Sequence, residues 1–146
     1  MISVTKSNTT PDILLVEDNP GDVRLTQEAF RGAKFDVRMH IASDGSEAIN
    51  FLKDKESPCP DLVLLDLNLP RKDGFDVLEE MQNDSELERV PVLVLTSSTA
   101  REDIISSYKQ HANAYLTKPD SPELFIELVK SVEEFWLKRV RLPPCS

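Results

Sequence analysis

The side chains of this sequence that are best suited to chemistry lie at or just beyond the ends of its apolar runs. They are three carboxylic acids, one hydroxyl and one amine: Glu17, Asp18, Asp66, Thr96 and Lys118. Three carboxylates within a few ångströms of one another repel strongly unless they are protonated or neutralised by a cation. Carboxylates suit a hard cation such as Mg²⁺, which proteins commonly hold together with waters and a phosphate. If these acids converge, they predict a Mg²⁺ site.

The amine and the hydroxyl extend this interpretation from a metal site to a reaction. Lys118 supplies a positive point charge and Thr96 a hydroxyl donor, so both could face an anion that joins the cation. A cation, a lysine and a hydroxyl around a carboxylate are the groups that phosphoryl transfer to a carboxylate nucleophile needs. The set is therefore typical of an aspartyl-phosphate site.

Strands and helices that alternate along the chain must bring these residues together. Five apolar stretches predict strands, the second of them more exposed than the others: residues 13–16, 37–41, 62–65, 92–95 and 114–116. Continuous apolar runs are typical of parallel strands that are buried on both faces. A helical pattern follows each strand and begins at a polar residue that could cap it: Asn19, Asp44, Asp73, Thr99 and Asp120.

Five such strand–helix units predict a flavodoxin-like α/β fold. We expect a doubly wound (βα)5 sandwich whose parallel sheet has the strand order 2-1-3-4-5. In open parallel sheets the ligand crevice lies beyond the carboxyl ends of the strands, where the strand order reverses. That point falls between the first and third strands, so Glu17, Asp18 and Asp66 should converge there. Thr96 and Lys118 should lie on the far side of the same pocket.

The length and charge of the chain argue against several classes of protein. Its 146 residues suit one domain, and 26 acidic against 17 basic residues give a net charge of −9. This excess of acid argues against nucleic-acid binding, because phosphate backbones are bound mainly through Lys and Arg. The sequence has no secretory signal and no apolar run near the ~20 residues that a membrane helix needs. Cys59 and Cys145 show no spacing typical of a metal site or a disulfide framework, so we expect a cytoplasmic protein.

Four short motifs occur along the chain in order: ILLVED at 13–18, DLNLPRKDG at 66–74, PVLVLTS at 91–97 and YLTKP at 115–119. Together they resemble the receiver domain of two-component response regulators, the CheY-like proteins. The resemblance implies a receiver domain over residues 11–140, tails at 1–10 and 141–146, and no output domain. It also implies that Asp66 accepts a phosphoryl group from the phosphohistidine of a histidine kinase.

The same resemblance assigns a metal-binding role to the acidic side of the pocket. It implies that Mg²⁺ is held by Asp18, by Asp66 and by the backbone carbonyl of Asn68. Glu17 stands where aspartate is also common in the family, and we expect its longer side chain to act through water.

The remaining residues of the pocket receive roles in phosphoryl binding and switching. By the same matching, Lys118 pairs with the phosphoryl group, Thr96 is the switch hydroxyl and Tyr115 is the aromatic side chain that changes rotamer. The protein would be a phosphoacceptor in signalling, with slow self-dephosphorylation, and not an enzyme. Two alternatives stay open from the residues alone: an interaction module that is never phosphorylated, and a hydrolase, which would need an additional acid or base.

A narrower resemblance concerns the partners. The motif DLNLPRKDG, the stretch SYKQH at 107–111 and the ending FWL at 135–137 are similar to the stand-alone regulators of bacterial and cyanobacterial phytochrome kinases. This similarity implies a light-sensing histidine kinase as the partner. The family commonly self-associates through the fourth helix, fifth strand and fifth helix, and the last helix here carries surplus apolar residues. We therefore expect a homodimer through these elements.

Overall fold

The computed structural model describes residues 10–32 and 36–144, and within them five strands form one parallel sheet. The strand order is β2-β1-β3-β4-β5, with β1 Asp12–Val16, β2 Arg38–Ala42, β3 Leu62–Leu65, β4 Val92–Thr96 and β5 Ala114–Thr117. The helices that alternate with them are α1 Pro20–Arg31, α2 Gly45–Lys53, α3 Gly74–Gln82, α4 Arg101–Lys109 and α5 Pro122–Val132. A 3₁₀ turn at Leu87–Arg89 precedes β4, and a π-helix at Glu133–Arg139 continues α5. The predicted fold and strand order are confirmed.

The central strands are buried on both faces, as their continuous apolar runs predicted. Alternate residues of a strand point to opposite faces of the sheet, so each strand contributes to two separate cores. Leu14 and Leu65 belong to the core that includes residues of α2 and α3. Ile13 and Leu64 belong to the core that includes residues of α1 and α5. The edge strand β2 is the more exposed one, which agrees with its alternating sequence.

Three of the five predicted helix caps are present. The side chains of Asn19, Asp44 and Asp73 each accept a hydrogen bond from a backbone N–H in the first turn of α1, α2 and α3. These bonds satisfy N–H groups that have no partner within the helix. The cap residues fix where each helix begins directly after the loop that follows its strand.

The predicted caps of α4 and α5 are wrong. The cap position of α4 is Ala100, whose methyl side chain has no hydrogen-bond acceptor. Its backbone N–H donates to Ser98 Oγ at 3.2 Å. The cap of α5 is Ser121, whose Oγ accepts from Leu124 N at 3.3 Å. Pro122 follows it at the first helical position, where a missing N–H costs nothing, so Ser121 takes the place expected for Asp120.

The described residues bear on two further expectations, those for membrane helices and for Cys59. None of the helices described is long and apolar enough to cross a membrane. Cys59 is disulfide-bonded, so the expectation of no disulfide framework is wrong for this residue. Cys145 lies outside the described residues, as do residues 1–9 and 145–146 of the predicted tails.

Candidate functional site

Three carboxylates meet at the carboxyl ends of β1 and β3. These strands are neighbours in the sheet and Val16 pairs with Leu65, so the residues that follow them lie side by side. Each of Glu17, Asp18 and Asp66 offers a carboxylate oxygen, and these three oxygens lie within 4.8 Å of one another. Glu17 and Asp66 are buried and Asp18 is exposed at the mouth of the pocket. The convergence predicted for the three acids is therefore present.

Lys118 lies at the centre of the acidic pocket. Its ammonium Nζ donates to Glu17 Oε1 at 2.6 Å, to Asp22 Oδ2 at 2.8 Å and to Asp66 Oδ2 at 3.1 Å. The side chain of Lys118 is only 7% exposed, so these bonds form in a region from which water is largely excluded. The backbone N–H of Lys118 donates to the carbonyl of Thr96 at 2.8 Å, which fixes the start of the side chain. One cation thus links the ends of β1, β3 and β5.

The chain is similar to known proteins in both fold and sequence. The response regulator receiver domain family matches residues 13–130. The chain belongs to this family. The response regulator Rcp1 of Synechocystis sp. is 44% identical over 142 residues, which cover 94% of this chain and 97% of that protein.

Two solved structures extend the comparison. The Mn²⁺-bound form of Rcp1 has a TM-score of 0.89 and 44% identity, covering 92% of this chain and 99% of that chain. The phosphorylated cyanobacterial phytochrome response regulator RcpA has a TM-score of 0.90 and 41% identity, covering 93% of this chain and 100% of that chain. The resemblance to receiver domains, including the regulators of phytochromes, is therefore confirmed. A response regulator receiver domain is a signalling module and not a conventional enzyme.

The receiver pocket carries more negative charge than its lysine can neutralise. Burial raises the pKa of the Glu17 carboxyl to about 7; the hydrogen bond from Lys118 opposes this effect and the neighbouring charge of Asp66 adds to it. For Lys118, burial alone would lower the pKa, but the carboxylates of Asp22 and Glu17 raise it above its ordinary value. Lys118 is therefore charged at neutral pH. The surplus of carboxylate oxygens fits a hard divalent cation at the open side, where Asp18 lies.

Asn68 lies in the loop between β3 and α3, next to the acids. Its backbone N–H donates to Asp66 Oδ1 at 3.3 Å, so the loop folds back on the carboxylate that begins it. Asp66 therefore presents one oxygen to Asn68 and the other to Lys118. This arrangement holds the carboxylate plane in place at the centre of the receiver pocket.

Thr96 and Tyr115 are joined through the loop between β4 and α4. Thr96 is fully buried, and its Oγ1 accepts from Ser98 N at 3.5 Å. The Tyr115 hydroxyl donates to the carbonyl of Ser98 at 2.9 Å, and burial raises its pKa. The two residues predicted to act in switching thus contact the same loop residue, one at its N–H and the other at its carbonyl.

Asp22 and Tyr108 contact predicted site residues but were missed by sequence reasoning. Asp22 lies in the first turn of α1, four residues after Asp18, and accepts from Lys118. Its place in a helix that begins at the same end of the sheet is the signal that could have found it. Tyr108 is half exposed on α4, and its hydroxyl accepts from Tyr115 N at 3.2 Å. That contact joins two elements, and no local sequence pattern predicts it.

Proposed function

We propose that this receiver domain is a phosphoacceptor response regulator in which Asp66 receives a phosphoryl group from a phosphohistidine of a histidine kinase. The observation that carries the proposal is the position of the Asp66 carboxylate. It lies 3.1 Å from the Lys118 ammonium, and one of its oxygens is within 4.8 Å of oxygens of Glu17 and Asp18. A carboxylate between a fixed cation and a divalent-cation site is equipped to accept a phosphoryl group.

The transfer step replaces one bond to phosphorus by another. An oxygen of Asp66 forms a bond to phosphorus while the phosphorus–nitrogen bond of the phosphohistidine breaks, and its electron pair returns to the imidazole nitrogen. Lys118 donates hydrogen bonds to the phosphoryl oxygens and offsets their charge in the transition state. Mg²⁺, held by Asp18, Asp66 and the Asn68 carbonyl, with Glu17 acting through water, would neutralise further charge. Water then removes the phosphoryl group slowly.

Thr96 and Tyr115 turn this chemistry into a change of surface. In this structure the Thr96 hydroxyl accepts from Ser98 N at 3.5 Å, and a phosphoryl group on Asp66 offers its O–H a charged acceptor. Thr96 therefore turns toward the phosphate and leaves Ser98. Tyr115 binds the carbonyl of the same Ser98, and its position therefore depends on the loop. The phosphoryl group thus biases the surface formed by α4 and β5 between two states.

The proposed phosphodonor is a phytochrome-type histidine kinase. The support is the similarity to RcpA, a cyanobacterial phytochrome response regulator, at 41% identity. Because the net charge is −9, we propose a protein and not a nucleic acid as the downstream partner.

Phosphorylation of Asp66 is the direct test of this function. Incubation with Mg²⁺ and either acetyl phosphate or an autophosphorylated bacterial phytochrome kinase should add about 80 Da, the mass of one phosphoryl group, to the intact chain. Asp66→Asn should take up nothing, whereas Asp36→Asn, a change at an exposed aspartate, should behave as the wild type. No adduct on the wild type from either donor would indicate an interaction module that is never phosphorylated. Sustained phosphate release from small esters, lost in Asp66→Asn, would indicate a hydrolase.

The proposed homodimer uses the exposed apolar residues of α4 and α5 together with β5. Ile105 on α4 is 41% exposed, and Leu124 on α5 is 52% exposed. We expect the receiver domain to sediment as a dimer at high concentration and Ile105→Glu to shift it to a monomer. Ile41→Glu is the matched control, because Ile41 is 42% exposed but lies on β2, the opposite edge of the sheet. A wild type that stays monomeric at high concentration, phosphorylated or not, would rule out this assembly.

A further inference from the structure

An ion pair joins the loop after Asp66 to the turn after β2. The Asp44 side chain is 3% exposed, and its Oδ2 accepts from Arg71 Nε at 2.8 Å and from Arg71 Nη2 at 2.7 Å. Its other oxygen accepts from Glu47 N at 2.8 Å and caps α2. Both oxygens of Asp44 are therefore engaged. The backbone bond from Glu47 and the pair with Arg71 hold the pKa of Asp44 below its ordinary value.

The loop that carries Arg71 has an unfavourable backbone conformation at this residue. Arg71 has a φ of 64°, in the left-handed region that a side chain with a Cβ adopts at a cost. Such a conformation persists only where the surroundings determine it, and it is concentrated at functional sites. The Arg71 guanidinium, anchored on the buried carboxylate of Asp44, is the contact that can hold it.

Two glycines show how closely this loop is packed against its neighbours. A Cβ at Gly45, next to Asp44, would overlap the backbone carbonyl of Lys72. A Cβ at Gly74 would lie 2.6 Å from the carbonyl oxygen of Asp66, and Gly74 N donates to the Leu67 carbonyl at 2.9 Å. The loop is thus packed against α2 at Lys72, and its two ends contact each other at Leu67 and Gly74. Displacement of residues 67–73 would move Asn68, which binds Asp66.

We propose that Asp44 and Arg71 are a positioning pair that holds the 67–73 loop in the shape in which Asp66 and Asn68 together bind a divalent cation. The inference rests on the proposed function, because it assigns the pair a role at the same site. Neither residue touches the cation; the pair acts through the loop backbone. Residues that orient metal ligands from one step away commonly change metal affinity when they are replaced.

Mg²⁺ binding measured by titration calorimetry separates this role from a general contribution to folding. Arg71→Ala should raise the Mg²⁺ dissociation constant by about 10-fold, the lower end of the effects of residues behind metal ligands. Asp44→Asn keeps a capping side chain but loses the charge, and it should give a similar change. Arg71→Lys retains one charged hydrogen bond but not the bidentate geometry, so its Mg²⁺ dissociation constant should lie between those of the wild type and Arg71→Ala.

A matched control and a rate measurement complete the design. Lys53→Ala removes the 2.7 Å pair between Lys53 and Glu80, which joins α2 to α3 outside the loop, and it should leave Mg²⁺ affinity unchanged. The Mg²⁺ concentration that half-saturates phosphorylation by acetyl phosphate should rise in parallel with the dissociation constant in Arg71→Ala. The rate at saturating Mg²⁺ should change less than about twofold, because Asp66 and Lys118 are intact.

Each outcome either supports or overturns the inference. If the wild type is phosphorylated and binds Mg²⁺ but Arg71→Ala and Asp44→Asn bind it equally well, the pair has no positioning role and the proposed function stands. A lower melting temperature with unchanged Mg²⁺ affinity would likewise exclude a positioning role. If Arg71→Ala does not fold, Arg71→Lys and Asp44→Asn decide. A wild type that neither binds Mg²⁺ nor accepts a phosphoryl group overturns the proposed function, and the inference with it.

Discussion

Lys118→Met should slow phosphorylation of Asp66 by acetyl phosphate at least about 100-fold, a loss typical of removing a group that stabilises transition-state charge. The structure gives the reason. Lys118 Nζ is the cation that the described residues place against Asp66, at 3.1 Å, and its side chain is 7% exposed. Methionine has a similar length and keeps the apolar packing of the stem, but it brings no charge and no donor.

The same variant should reveal how much the lysine stabilises the acidic pocket. Without Lys118, the carboxylates of Glu17, Asp22 and Asp66 lose their shared counter-charge in a largely buried region. Removing one partner of a buried ionic group costs about 3 kcal/mol or more, so urea unfolding at pH 8 without divalent cations should show a loss of that order. Protonation of the acids at low pH should restore part of this stability.

Lys55→Met is the matched control for both measurements, because Lys55 is exposed in the loop after α2. It should leave the rate and the free energy of unfolding within experimental error of the wild type. A Lys118→Met protein that is phosphorylated as fast as Lys55→Met would show that Lys118 contributes only to the structure of the pocket.

The fold and the convergence of the acids could be predicted from sequence because both follow from local patterns and one topological rule. The apolar runs that end before Glu17 and Asp66 are four residues long with no polar interruption, and such runs are buried on both faces of a parallel sheet. The strand order then places the ends of β1 and β3 together. No side-chain geometry was needed for that step.

The contacts of individual side chains could not be predicted in this way. Asp44 was predicted as a helix cap, which it is, but its second oxygen binds Arg71, 27 residues away, and no periodicity links two loops. The direct hydrogen bond from Lys118, which follows β5, to the Glu17 carboxylate was likewise not predicted. The role of Glu17 toward the metal through water stays a prediction. These pairings depend on how loops from separate strands meet, and the sequence pattern of each loop carries no information about the other.

The second large effect is expected for Glu17→Gln, which should change how the free energy of unfolding depends on pH. The pKa of Glu17 is about 7 in the folded protein, against an ordinary value of 4.5, chiefly because its carboxyl is 3% exposed. The folded protein therefore holds this proton more tightly than the unfolded chain does. This proton contributes about 3 kcal/mol to the free energy of unfolding. The contribution is fully present below pH 4.5 and is lost as the pH rises through 7.

Glutamine keeps the shape of Glu17 and an acceptor for Lys118 but does not titrate. In the presence of a metal chelator at pH 4.5, Glu17→Gln and the wild type should unfold at similar urea concentrations. Between pH 4.5 and pH 8, the free energy of unfolding of the wild type should fall by about 3 kcal/mol relative to that of the variant. Glu56→Gln, at an exposed position, should follow the wild-type curve at every pH. Parallel curves for wild type and Glu17→Gln would show that Glu17 is ionised at neutral pH despite its burial.

Mg²⁺ at pH 8 should make the wild type more stable than Glu17→Gln, the reverse of their order without the cation. A divalent cation that binds the folded pocket neutralises the ionised Glu17 and Asp66 and stabilises the wild type by mass action. The variant lacks one of these charges, so it should gain less from the cation although it is the more stable protein without it. Such a reversal would mean that the burial of Glu17 disfavours the free domain and favours the cation-bound one, the state from which Asp66 is proposed to accept its phosphoryl group.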